Sequence, residues 1–299
     1  MKIAITTPTG HVGSALADFL LESAGQRVKL LGRRPHTLAK FVRRGADTAI
    51  GSQDDAEFLT RATSDVDALF WVTPPGYGSD NLRAYQNRLG EAAATAIQAN
   101  HIRWVVNLSS IGAEWDSGVG PINGLHDVEE LLDAATTNIT HLRPGFFFEN
   151  LLWQVDSIRN QGRISLPLSG SARYPMIATR DIGQVAAELL TSPKWKGHHV
   201  RELHGPADLS FDDVARILSG ILGRKVTFVR CDPQEARQAI LSGGTSENAA
   251  DLMLEMYDAV ETGRLRSLQP RSEQTTTPTT LAEFAREVIL PLLAEPVPH

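Results

Sequence analysis

Two rhythms of apolar and polar residues alternate along the first 143 positions. Short runs rich in apolar residues predict strands: Ile3-Ala4-Ile5, Arg27 to Leu31, Asp47 to Ile50, Ala68 to Val72, Trp104 to Leu108 and Ile139 to Arg143. Amphipathic stretches between them predict helices over Ala15 to Leu21, Thr37 to Arg44, Asp54 to Leu59, Asn81 to Asn100 and Ile122 to Thr136. Strands alternating with helices in this way imply parallel βαβ units, with the sheet buried between helical layers. After residue 150 the rhythm loosens. Tyr174 to Gly183 reads as a strand running into a capped helix, and His198 to Gly205 and Val226 to Val229 read as strands. Ser210 to Leu222, Gln234 to Ser242, Ser246 to Glu261 and Leu281 to Leu293 read as helices. The Thr275 to Thr280 tract reads as a loop ending in a helix cap at Thr280.

The stretch from Thr6 to Ser14 joins the first strand to the first helix, and its residues suit dinucleotide phosphates. Gly10 lets backbone approach a pyrophosphate closely, and Gly13 lets the helix pack tightly. Free N–H groups at the helix start would hold the anion, which makes Thr7, Thr9, Gly10, His11, Val12 and Gly13 the first cofactor candidates. Thr7 stands where the spaced fingerprint has its first glycine. A β-branched residue resists positive φ, so the loop is expected to turn with ordinary backbone angles or to shift in register. Arg33 and Arg34 follow the second strand, 20 residues beyond Gly13, where an NAD-binding chain usually carries an acid for the ribose hydroxyl. Two guanidinium groups suit a 2′-phosphate instead, so the expected cofactor is NADP(H).

Composition narrows the class of protein. The chain has 299 residues, 42% hydrophobic, with formal charge −6 from 29 basic and 35 acidic side chains, which disfavours direct nucleic-acid binding. Its single cysteine, Cys231, excludes an internal disulfide and a cysteine-cluster metal site. The histidines near residue 200 lie on adjacent strand positions that point to opposite faces, so no metal is expected. No apolar stretch reaches membrane-spanning length and no signal peptide is recognised, so a cytoplasmic protein is expected, as monomer or homodimer.

Further candidates lie at the ends of later strands, where open α/β sheets bind ligands. Val72, Thr73, Pro74 and Pro75 open a loop expected to run along the cofactor, and Tyr77 in the same loop either flanks the ligand or caps the next helix. Asn107, Ser109 and Ser110 end the fifth strand where a nicotinamide would sit, with Ser110 placed to bond a substrate oxygen. Phe147 faces the same ring, while Trp115, Phe148, Asn150 and Trp153 are candidates for a pocket that takes a flat, apolar substrate.

Taken together, Thr9-Gly10-His11-Val12-Gly13, Arg33 with Pro35, Val105 to Ser110 and Leu142 to Asn150 resemble the NmrA-like branch of the atypical short-chain dehydrogenases/reductases. Leu203-His204-Gly205-Pro206 and Thr280 to Ala285 fit that branch's C-terminal region, so the resemblance covers nearly the whole chain. It implies an α/β fold: a doubly wound, mostly parallel, seven-stranded Rossmann sheet with a smaller, mostly helical C-terminal substrate lobe. The corresponding division is an NADP-binding domain over residues 1–150 and a lobe over 151–299, with 174–192 returning to the first. Members include NADPH-dependent reductases of quinones and related conjugated compounds, and also redox-sensing regulators that bind NADP(H). Classical relatives carry a Tyr-x-x-x-Lys helix. Here that helix reads Gly124 to Glu130 with neither residue, which disfavours ordinary carbonyl reduction and leaves His126 as the nearest ionisable proton donor. The expectation is a reductase of a quinone, enone, imine or azo group, with a non-catalytic NADP(H) sensor that binds a protein partner as the alternative.

Overall fold

The computed structural model describes residues 1–23, 25–191 and 193–294. Six strands form in chain order: β1 (Lys2–Thr6), β2 (Arg27–Gly32), β3 (Asp47–Ile50), β4 (Ala68–Val72), β5 (Trp104–Leu108) and β6 (Asn138–Pro144). They alternate with α1 (His11–Glu22), α2 (Pro35–Val42), α3 (Ala56–Ala62), α4 (Leu82–Asn100) and α5 (Ile122–Ala135). After β6 come β7 (Phe146–Phe147), a 3₁₀ segment (Phe148–Gln154), α6 (Val155–Gln161), β8 (Arg163–Leu166), β9 (Arg173–Ile177), α7 (Thr179–Thr191) and β10 (Gly197–Leu203). The remainder comprises β11 (Asp208–Ser210), α8 (Phe211–Leu222), β12 (Thr227–Arg230), α9 (Pro233–Ser242), α10 (Glu247–Glu261), α11 (Leu281–Phe284) and α12 (Leu290–Ala294).

The main sheet has the order β10-β6-β5-β4-β1-β2-β3 with every pair parallel. Strand order reverses beside β1, so the loops after β1 and β4 part there and open a crevice at the carboxyl edge. Alternate strand residues feed two cores. Ile3, Ile5, Leu30, Phe70, Val106 and Leu142 pack under α1 and α7, while Ala4, Leu31, Trp71, Val105 and Ile139 pack under α3, α4 and α5. Helices α1 and α7 meet backbone to backbone because Gly183 has no side chain: a Cβ there would stand 2.9 Å from Leu16 N.

A third core fills the lobe, joining Phe148, Ile158, Ile164, Met176, Phe211, Val214 and Phe284. Around it lie two small sheets, β11-β9-β7 and β12-β8. The predicted helix from Leu281 to Leu293 is interrupted by a π turn at Ala285–Ile289. Pro291 supplies the physical reason, because its ring displaces the carbonyl four residues back and removes a donor; Leu290 N bonds Ala285 O across the wide turn. Thr280 caps α11 in a reciprocal box with Glu283, as its position before the apolar run suggests. Among the described residues, no helix is long and apolar enough to cross a membrane.

Candidate functional site

The crevice is built from the ends of parallel strands. Thr6 Oγ1 donates to Phe70 O (3.2 Å) and accepts from Val72 N (2.9 Å), locking the ends of β1 and β4 together. Thr7 then turns the chain at φ +49°, which overturns the expectation of ordinary backbone angles. The left-handed turn is kept without glycine because the hydroxyl is anchored: Thr7 Oγ1 donates to Gln53 Oε1 at 2.9 Å, offsetting a conformational cost of about 1–2 kcal/mol. Gly10 N closes the loop on Thr7 O at 3.1 Å.

Helix α1 starts at Gly10 with no side-chain cap and no acid in its first turn, so its leading N–H groups and dipole remain available to an anion. Gly13 is sterically required, since a Cβ there would lie 2.3 Å from Thr7 O. Thr9 and His11 are exposed above the loop, whereas the Val12 side chain is buried in the core and offers only its backbone.

At the far end of the crevice Arg33 and Arg34 are exposed, and among the described residues neither pairs with a carboxylate. Arg33 lies close enough to Tyr85 for its charge to oppose the upward shift that burial imposes on that phenol. Tyr85 also walls the loop after β4: its ring presses on Gly76, where a Cβ would stand 2.2 Å from Cε1. In that loop Trp71 Nε1 donates to Thr73 Oγ1 (3.1 Å), which fixes Thr73 inward while Pro75 is exposed. Burial raises the pKa of Tyr77, two residues further on.

On the β5 side, Ser109 is 5% exposed and its Oγ has no partner, while Ser110 Oγ donates to Ile111 O at 3.0 Å. The turn from Ser110 to Ala113 is clipped to α5 by His126, whose Nδ1 lies 2.9 Å from Ala113 O. Its Nε2 faces Glu130 at 3.6 Å. Two expected ligand contacts are instead interior. Asn107 points into the α5 layer, with Nδ2 2.9 Å from His141 Nδ1, and His141 Nε2 continues to Asp133 at 3.0 Å. Strand alternation is the reason, because Asn107 shares its face with the buried Val105. Phe148 is 1% exposed in the lobe core, its ring 5.6 Å from that of Phe284, and so does not line a pocket.

Phe147 packs against the core under α1, Asn150 is half-buried, and Trp153 is 66% exposed on the 3₁₀ segment. Trp115 lies under the Arg264 guanidinium (4.5 Å), in a surface cavity of about 410 Å³ with Arg266 and Leu268.

Glu149 had no role in the sequence reading, although a carboxylate directly after three phenylalanines is a signal. It accepts from Thr179 N at 3.1 Å and from Thr179 Oγ1, capping α7. Burial raises its pKa, against the pull of Thr179 and the nearby His11. One side chain thereby ties the 3₁₀ segment to the start of α7.

A sequence model of the NmrA-like family matches residues 1–285. The chain belongs to that family. It is 33% identical to the NAD(P)H azoreductase of Xenophilus azovorans, over 85% of this chain and 86% of that protein. Its fold is that of the Citrobacter triphenylmethane reductase, with TM-score 0.80 and 19% identity over 97% of this NmrA-like chain and all of the other. An NADPH-dependent quinone oxidoreductase of Escherichia coli, solved with NADPH, superposes with TM-score 0.80 and 21% identity, covering 97% and 99% of the two chains.

Proposed function

We propose that this NmrA-like protein is an NADPH-dependent reductase that delivers hydride to a small conjugated acceptor, such as a quinone, enone, imine or azo compound, without a Tyr-x-x-x-Lys dyad. The relation to an NAD(P)H azoreductase carries the reading. The crevice fits the cofactor on its own evidence. An uncapped helix N-terminus suits the pyrophosphate, Arg33 and Arg34, unpaired among the described residues, suit the 2′-phosphate, and the buried Ser109 hydroxyl lacks a partner there that a carboxamide or ribose would supply.

Bound NADPH supplies two electrons and a proton as hydride. The chain itself positions and shields. Thr9 to Val12 hold phosphate, Thr73 to Pro75 follow the ribose, and Ser109, Ser110 and Phe147 face the reacting ring with Tyr77 and Asn150 beside the acceptor. Reduction of a conjugated group leaves the electron pair on a heteroatom, which water protonates; Ala113 O, 2.9 Å from His126 Nδ1, keeps the neutral ring's one proton on Nδ1, so His126 Nε2 donates only from the imidazolium form.

Anaerobic NADPH consumption by the purified protein, measured against quinones, enones, imines and azo dyes with NADH alongside, tests the proposal. Turnover that is faster with NADPH supports it. Saturable NADPH binding with no turnover across the panel overturns it in favour of an NADP(H) sensor.

A further inference from the structure

The loop after β3 reaches the ends of three other strands. Gly51 N donates to Gly32 O (3.1 Å), the last residue of β2 before Arg33, and Asp55 Oδ1 caps α3 by accepting from Phe58 N (2.9 Å). Between these anchors Asp55 N closes a turn on Ser52 O (3.3 Å), so Gln53 projects from a short loop fixed at both ends.

Both ends of the Gln53 amide are used. Nε2 donates to Val72 O (3.0 Å) and Oε1 accepts from Thr7 Oγ1 (2.9 Å). The amide fits only this way round, because a carbonyl oxygen facing Val72 O would leave two acceptors in contact. The Thr7 hydroxyl has one proton, and its other acceptor, Val72 O at 3.4 Å, is too distant to hold it alone. One half-buried side chain therefore reaches over the end of β2 and ties the turns after β1 and β4 together, beside the point where strand order reverses.

The effect passes on through the Thr7 carbonyl. With Thr7 at φ +49°, its oxygen accepts from Gly10 N (3.1 Å) and lies so close to Gly13 that a Cβ there would stand 2.3 Å away. Gly10 caps α1 and Gly13 lies in its first turn, so this carbonyl is the seat on which the helix starts. A threonine left to itself relaxes to negative φ, which swings the oxygen off both glycines and moves the N–H groups that face the anion.

We propose that Gln53 is a positioning residue for the cofactor, standing in for the glycine absent at position 7: by holding Thr7 left-handed it sets affinity for the pyrophosphate that NADPH and NADH share, a role that rests on the cofactor reading of the crevice. A side chain that only braced the fold would matter equally whatever stood at position 7. Gln53 acts on one dihedral, so its effect disappears when residue 7 is glycine, which adopts positive φ without steric cost. It also differs from Arg33 and Arg34, whose proposed partner is the 2′-phosphate of NADPH alone.

Energy transfer from protein to bound nucleotide, titrated with NADPH and with NADH, provides the test in wild type, Gln53→Ala, Thr7→Gly and the double variant. Gln53→Ala is expected to weaken both nucleotides by about 5- to 30-fold, the share of loops that stay competent once Thr7 is free to relax. Thr7→Gly is expected within about threefold of wild type, and adding Gln53→Ala to it changes affinity by less than about threefold. Gln53→Met, which keeps the length of the side chain and loses both polar atoms, repeats the loss and serves if thermal melts show Gln53→Ala to be unfolded. Affinity within about twofold of wild type in the folded Gln53 variant, an equal loss in both backgrounds, or a loss confined to NADPH overturns the positioning role. Wild type that binds neither nucleotide overturns the cofactor reading itself, and with it the role built on it.

Discussion

Gly10 and Gly13 sit three residues apart where the loop after β1 enters α1, one at the helix cap and one in its first turn, and a pair of alanine substitutions separates what each contributes. In Gly13→Ala the new Cβ falls 2.3 Å from Thr7 O and 3.0 Å from Thr7 C, both backbone atoms. Ordinary contact begins near 3.4 Å, so the loop or the helix must move by about 1 Å. Overpacking of this kind costs about 1–3 kcal/mol, while alanine in a helix interior recovers about 0.5–1 kcal/mol. The net loss, up to about 2.5 kcal/mol, lowers the melting midpoint by as much as several degrees, at about 2–4 °C per kcal/mol. Cofactor affinity is expected to fall as well, because the N–H groups at the start of α1 move with the loop.

Gly10→Ala meets only Thr7 Cγ2 at 3.3 Å and Thr7 O at 3.4 Å, at a backbone φ of −74° that alanine accepts. Its stability is expected within about 0.5 kcal/mol of wild type. Its NADPH affinity is expected to fall, because on the proposed binding mode the methyl would occupy the space the pyrophosphate needs. Energy transfer from protein to bound NADPH and thermal melts of both variants supply the readouts. Wild-type affinity and midpoint in Gly13→Ala would refute the close approach, and an equal loss of stability in both variants would refute the division of labour.

Two other outcomes follow from charges. Arg33→Ala with Arg34→Ala is expected to weaken NADPH about 10- to 100-fold while leaving NADH nearly unchanged, and equal losses in a side-by-side titration sink the 2′-phosphate role. Burial alone would raise the pKa of Glu202, but His204, Ser267 and the N–H groups of Leu268 and Gln269 (3.0 Å each) hold it at about 2, below its ordinary 4.5. Because the folded value is depressed, this contribution, on the order of 3 kcal/mol, is complete above pH 4.5 and is lost as pH falls toward about 2. Glu202→Gln should flatten the acid limb of a stability-versus-pH curve; an unchanged slope counts against the clasp.

Much of this molecule is legible in its residues because the strongest signals are local. Runs such as Ile3 to Ile5 and Ala68 to Val72, with helices between, dictate the parallel sheet, and Gly10 with Gly13 marks its crevice. Direction is what the sequence withholds. Asn107 and Phe148 turn inward, because which sheet face or core a side chain enters depends on register and packing that spacing does not encode. Thr7 misleads because its left-handed turn is stabilised by Gln53, 46 residues away. The strands Phe146–Phe147 and Arg163–Leu166 are too short to show a period.

The segment from Ser267 to Thr277 has a consequence for how the chain is made. It lies along the outer side of β10, where Gln269 Nε2 donates to Val200 O, Glu202 N to Gln269 Oε1, His204 N to Thr275 O and Thr277 N to His204 O. The last strand of the sheet thus has its free hydrogen-bonding groups answered by a non-strand strap from more than 60 residues downstream. During synthesis β10 emerges well before that strap does, and for the interval its edge is a template for pairing with another unfinished chain. The closing third of the sequence therefore shields the sheet from its own kind, and the nascent protein is safe from such pairing only once residue 277 has left the ribosome.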